Sequence, residues 1–136
     1  MKVLLDTHTF LWWVTDDSRL SLTAREVISS TQNQRLLSAA AGWEIAIKAK
    51  LGKITIQGNL KDFIHSQMET NEIQTLPVQM DHALHVYHLP NLHRDPFDRL
   101  LVAQSQLENL PIITSDPYIA KYNEIFKSYY KHDPFI

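Results

Sequence analysis

The sequence predicts an α/β domain in which a parallel sheet is covered by helices on both faces. Two observations carry this reading. The runs Val3-Leu4-Leu5, Arg35-Leu36-Leu37-Ser38-Ala39 and Ile112-Ile113-Thr114 are short and largely apolar, the pattern of strands buried on both sides. Amphipathic stretches of helical spacing lie between them, and strands that alternate with helices build parallel sheets through right-handed crossovers. With 136 residues, the chain has the length of a single domain, 1–136, with room for a core of its own.

Taken in order, the first strand ends at Asp6, and a helix from Thr7 to about Val14 follows. Phe10, Leu11 and Val14 share one side of it. Trp12 and Trp13 are adjacent and point about 100° apart, so they are not expected to bury in the same core. Asp16-Asp17-Ser18 breaks this helix, and Ser21 or Thr23 caps the next, which runs to about Ser30. After the second strand a helix spans about Ala41 to Leu51, with Trp43, Ile47 and Leu51 as its apolar stripe and Gly52 as its stop. Glu44 and Lys48 lie on a different face of that helix. Ile54-Thr55-Ile56 reads as a brief extended piece, Leu60 to Met68 as a helix, Ile73 to Leu76 as a strand, and Gln79 to Leu89 as a helix ended by Pro90. A helix follows Asp95-Pro96, with Phe97, Leu100, Leu101, Gln104 and Leu107 on one side. Ser115-Asp116-Pro117 closes the last strand and opens a short helix through Tyr122; the tail from Asn123 has no clear pattern.

The apolar share of 44% and charged share of 21% are those of an ordinary globular domain. The absence of cysteine excludes disulfides and thiolate metal sites and fits a reducing compartment. Five residues precede the first acid, too few for a signal-peptide core, and no apolar run reaches membrane-spanning length, so a soluble cytoplasmic protein is expected. A net charge of −2 gives no support to a nucleic-acid partner by itself.

The acids are more informative than the net charge. Asp6 and Asp116 sit at the carboxyl ends of two strands, Glu44 near the start of the helix after the second strand, and Asp98 in the first turn of the helix after Asp95-Pro96. Parallel strands bring these junctions to one edge of the sheet, where α/β proteins bind ligands. Four carboxylates meeting there repel, unless some are protonated or a cation holds them. Oxygen ligands without sulfur favour Mg²⁺ or Mn²⁺, and such an ion on a carboxylate cluster is the arrangement of metal-dependent nucleases. The competing reading is structural: Asp6, Asp95 and Asp116 each stand where a helix is capped, and Glu44 with Lys48 has the spacing of a surface ion pair.

Leu4-Leu5-Asp6-Thr7-His8, Trp43-Glu44-Ile45-Ala46-Ile47-Lys48, Asp95-Pro96-Phe97-Asp98-Arg99-Leu100-Leu101 and Ile113-Thr114-Ser115-Asp116 resemble, in this order, segments of PIN-domain proteins, especially VapC-type toxins. The resemblance implies a three-layer α/β/α sandwich with a central parallel sheet. It implies a metal-dependent ribonuclease, usually a homodimer, held inactive by a cognate antitoxin. The family's acids fall on Asp6, Glu44, Asp98 and Asp116, as ligands of Mg²⁺ or Mn²⁺ acting on an RNA substrate. Asp95 is kept as a helix cap first, and Thr7, Thr114 and Ser115 are candidates to contact water or phosphate. Ala41-Gly42 departs from the serine and bulkier residue the family pattern leads one to expect there.

His82, His85 and His88 recur at third positions but drift around the helix, which disfavours a histidine metal site. His93-Arg94 and Arg99 neighbour the acids and are candidates for phosphate contact, with surface or ion-pair roles as the alternative. A haloacid-dehalogenase-type phosphatase would need a second Asp two residues beyond Asp6, where this chain has His8. The remaining rival is a non-catalytic module that binds RNA or a partner protein on a PIN scaffold.

Overall fold

A computed structural model describes residues 1–126. Strands β1 (Lys2–Leu5), β2 (Gln34–Ser38), β3 (Ile73–Leu76) and β4 (Ile112–Ile113) form one sheet in the order β3-β2-β1-β4. Every neighbouring pair is parallel. The register sets Leu4 against both Leu36 and Ile112, and Leu5 against both Leu37 and Ile113. Because successive side chains on a strand point to opposite faces, this register sorts the sheet into two apolar surfaces. Val3, Leu5, Leu37 and Ile113 share one cluster with Phe10, Ile28 and Ile45. Leu4, Leu36 and Ile112 share the other with Leu101, Val102, Ile119 and Tyr122.

The first surface is covered by α1 (Thr7–Val14), α2 (Leu22–Ser29), α3 (Ala39–Lys50) and α4 (Leu60–Thr70). The second is covered by α6 (Pro96–Glu108) and α7 (Pro117–Phe126), with Val86 and Leu89 from the segment after α5 (Met80–His85). The result is the three-layer α/β/α sandwich, with a wholly parallel sheet in the middle. No helix among the described residues is long and apolar enough to cross a membrane.

Two helix faces and one helix end differ from the sequence reading. In α3 the expected stripe of Trp43, Ile47 and Leu51 is exposed, at 62%, 37% and 64%. The helix instead buries Ala40, Ala41, Glu44 and Ile45. Small alanines let it lie close to its neighbours, and Glu44 is tolerated inside because both its oxygens are hydrogen-bonded. In α6 the buried set is Leu101 through Ser105, while Leu107 faces outward. The helix expected over 79–89 stops at His85 and tightens into a 3-10 turn, Val86–His88.

Ile54–Ile56 pairs with no strand. Trp12 and Trp13, expected to diverge, both pack at the margin of the same cluster. Trp13 donates its indole N–H to Asn71, and Trp12 lies under the Arg19 guanidinium. Of the tail from Asn123, residues 127–136 lie outside the described residues.

Arg35 ties the β2 end of the sheet together. Its guanidinium donates to the backbone carbonyls of Ile28, Ser30, Asn33 and Asn71. Arg35→Met keeps the stem but strands these acceptors, and should lower the unfolding free energy by about 2 kcal/mol, read from the urea midpoint.

Candidate metal centre

The carboxyl edge of the sheet delivers the acids through four separate turns. Asp6 follows β1 and caps α1: its Oδ1 accepts the Thr9 N–H at 2.7 Å. Its Oδ2 accepts the Thr114 hydroxyl. Thr114, just past β4, also accepts the Asp116 N–H at 3.0 Å, so one hydroxyl links the first and last acids. Asp116 accepts the Tyr118 N–H at 2.8 Å with its Oδ1. Glu44, on the buried side of α3, accepts the Thr7 hydroxyl and the Lys48 ammonium, each at 2.6 Å.

Asp98 lies in the first turn of α6, where the free N–H groups favour a negative charge. His93 from the preceding loop places Nε2 2.7 Å from Asp98 Oδ2 and 3.5 Å from Asp116 Oδ2. Ligand atoms of His93, Asp98 and Asp116 all fall within 4.8 Å of one another. This is the only such convergence of three or more His, Asp or Glu among the described residues.

The electrostatics of this edge are those of crowded carboxylates. Burial pushes the Asp6 carboxyl above its ordinary range, against the hydrogen bonds from Thr114 and Thr9 that oppose it. Asp98 is pushed up to about 7, first by burial and then by the charge of Asp95, with Glu44 adding and His93 opposing. The Lys48 ammonium is shifted upward by its hydrogen bond to Glu44, and the charges of Asp95 and Asp98 act in the same direction. A group of oxygen donors with one imidazole, short of positive charge, is chemically suited to a hard divalent cation. The residues present therefore fit such an ion.

Of the four acids singled out in the sequence, Asp98 and Asp116 converge directly. Asp6 joins Asp116 through Thr114. Glu44 is buried close enough for its charge to act on Asp98. Its pairing with Lys48 is not a surface contact, since Glu44 is only 4% exposed.

Asp95 is the cap: its Oδ1 accepts the N–H groups of Phe97 and Asp98 at 2.8 and 3.2 Å. Asp95→Ala should cost about 1 kcal/mol of stability, seen as a lower Tm. It should also let the Asp98 carboxyl titrate below its present value, measurable by carboxyl ¹³C NMR.

The hydroxyls of Thr7 and Thr114 serve acids rather than standing free. Arg99, a candidate for phosphate contact, is spent on the loop before its helix, donating to the Val86 and His93 carbonyls and to Asn91. His82 is buried between the Gln79 N–H and Glu108, and His85 meets Gln106, so these histidines do not converge. His93 is the residue the sequence reading placed beside the site rather than within it. Its signal was position alone, five residues before Asp98 in a loop that must fold back over the α6 N-terminus.

The PIN domain family model matches residues 3–125. Ribonuclease VapC22 of Mycobacterium tuberculosis (strain ATCC 25618 / H37Rv) is 28% identical over 116 residues, covering 84% of this chain and 86% of that protein. The structure of VapBC2 from Rickettsia felis bound to a DNA fragment from their promoter superposes with a TM-score of 0.64 at 12% identity, over 90% of this chain and 93% of that one. A toxin-antitoxin complex from Klebsiella pneumoniae gives 0.58 at 17% identity, over 98% and 95%. At such identities these two likenesses speak for the fold alone. The family match, which takes in all but the first residue of the sheet and all the residues of the acidic edge, decides the assignment: the chain belongs to the PIN-domain family.

Proposed function

We propose that this chain is a metal-dependent endoribonuclease that acts as the toxin of a toxin–antitoxin pair. The observation that carries the reading is the meeting of Asp98, Asp116 and His93 at the sheet edge, backed by buried Asp6 and Glu44. The name of the relative matched in sequence, a VapC ribonuclease, supports the same direction. Asp6, Glu44, Asp98 and Asp116 would hold Mg²⁺ or Mn²⁺. Such an ion, when bound, supplies charge neutralisation at an RNA phosphodiester and makes water acidic enough to act as a nucleophile near neutral pH.

The chain's own part is orientation. Thr114 and the Thr9 N–H fix both oxygens of Asp6. Thr7 and Lys48 fix both oxygens of Glu44. His93 and the Tyr118 N–H hold Asp98 and Asp116 at the mouth. Rigid carboxylates cost little reorganisation when charge develops, which is the main electrostatic contribution a protein makes to such a reaction.

The assembly reading is a single-domain, cytoplasmic protein that forms a homodimer and binds an antitoxin. Met80, Leu84 and Tyr87 are exposed at 72%, 63% and 89%, more apolar surface in one short segment than a solvated helix needs. A groove of about 550 Å³ beside Trp12, floored by Leu11, Ile54, Ile56 and Phe63, is a second apolar surface suited to a partner segment.

The test is cleavage of total RNA with Mg²⁺ or Mn²⁺, with EDTA and the Asp6→Asn variant as controls. A catalyst yields oligoribonucleotide products that vanish in both controls. Intact RNA in every lane, from folded protein freed of its antitoxin, would favour the non-catalytic binding module instead.

A further inference from the structure

We propose that Tyr118, His93, Arg94 and Lys121 form a nucleotide subsite in which Tyr118 stacks an unpaired base of single-stranded RNA beside the carboxylate cluster. The choice of RNA rests on the ribonuclease reading; the subsite rests on observations of its own. Tyr118 is bound to the cluster through its backbone, since its N–H donates to Asp116 Oδ1. Tyr118 nevertheless remains 50% exposed. Its hydroxyl bonds no side chain or carbonyl among the described residues. A half-exposed aromatic at the mouth of a site, outside the hydrophobic core, is available to a ligand.

The ring is also already part of a stack. His93 lies against it with centroids 5.1 Å apart and planes 28° from parallel. His93 is in turn pinned by Asp98, so the ring is supported from a fixed point. A base added to Tyr118 extends a column whose first two members are in place.

Cations border this column. Lys121 holds its ammonium over the Tyr118 ring, 4.7 Å from the centroid, on a flexible stem; a base that stacks there displaces it toward the adjoining phosphate. Arg94 is exposed and makes no ion pair or side-chain hydrogen bond among the described residues. It lines two open cavities with His93, of about 460 and 560 Å³; Tyr118 lines the first of them. A chain of net charge −2 can hold a polyanion only where cations are locally concentrated. The alternation of aromatic face and cation matches the alternation of base and phosphate in a single strand. A duplex keeps its bases stacked on one another and has none to offer.

The experiment is fluorescence anisotropy of a labelled single-stranded oligoribonucleotide with the Asp6→Asn protein, which leaves the His93 contacts untouched and does not cut. Adding Tyr118→Leu should weaken binding about tenfold, the typical effect of losing one base–aromatic stack. Arg94→Gln should weaken it and flatten its salt dependence. Tyr118→Trp should retain affinity, and its emission should be quenched by the single strand, relative to the parent with Trp12, Trp13 and Trp43 alone.

Parental affinity in Tyr118→Leu, equal losses on single-stranded and duplex RNA, or an unquenched tryptophan would each overturn the subsite. Loss of antitoxin binding with RNA affinity unchanged would overturn it too, in favour of a protein contact. Cleavage of the same oligoribonucleotide by otherwise wild-type protein separates the two readings. A wild type that cuts, with KM unchanged in Tyr118→Leu, removes the subsite and leaves the nuclease. A wild type that neither cuts nor binds RNA removes the nuclease reading.

Discussion

Asp98→Asn should reduce RNA cleavage about 10²- to 10³-fold, the usual cost of removing one group that stabilises developing charge, while leaving the fold more stable in the absence of metal. The two halves of this expectation have one cause. Asp98 is pushed up to about 7 by burial and by the charge of Asp95, so at pH 8 its ionised form is held against its environment. The amide keeps the shape and one acceptor for His93 but carries no charge. It therefore relieves repulsion in the empty edge and removes a ligand from the loaded one. A structural acid behaves in the opposite way, since replacing it loses a favourable contact and lowers the Tm. Thermal scans in EDTA, paired with cleavage rates in Mn²⁺, read both halves on one preparation.

The second large effect is a reversal of pH dependence by divalent ions. In the unfolded chain Asp98 ionises near its ordinary 3.8; in the folded chain it ionises near 7. Between those values the folded state binds more protons than the unfolded state. Stability from this group therefore falls as pH rises through that window. The raised Asp6 carboxyl contributes with the same sign. In EDTA the protein should melt lower at about pH 8 than at about pH 5.5. A divalent ion competes with those protons, so added Mn²⁺ should raise the Tm far more at the higher pH. Asp98→Asn should flatten both dependences. A Tm that climbs steadily toward pH 8 in EDTA would mean that the acids are paired rather than crowded.

The strands were legible because fully buried parallel strands leave little room for polar residues: Val3-Leu4-Leu5, Leu36-Leu37 and Ile112-Ile113 announce themselves. Their register was not legible, since a run that is apolar at every position leaves the pairing open; the structure sets Leu4, Leu36 and Ile112 on one surface and Leu5, Leu37 and Ile113 on the other. The convergence of acids was legible for a related reason, since a parallel sheet places the ends of all its strands on one edge.

Helix faces were harder to read. In α3 the hydrophobic pattern points to Trp43, Ile47 and Leu51, yet the helix turns alanines and a glutamate inward. The Glu44–Lys48 pair was readable from its spacing, but local periodicity could not register that Thr7, on another element, would take the other oxygen and let Glu44 be buried. His93 was obscured by the same limit. A histidine in a loop looks alike in sequence whether it faces solvent or folds back onto Asp98. Trp12 and Trp13 show the converse: they diverge on the helix, but a margin wide enough for two indoles lets both pack against one cluster.

The most direct test of the account is calorimetric titration of Mg²⁺ and of Mn²⁺ into the wild-type protein and into Asp98→Asn, at about pH 8 where proton competition is weakest. The expected result is saturable binding by the wild type that is lost or greatly weakened in the variant, in parallel with RNA cleavage by the same samples. Folded wild-type protein that binds neither ion would contradict it. The four acids would then be caps and internal hydrogen-bond acceptors on a PIN scaffold that binds rather than cuts.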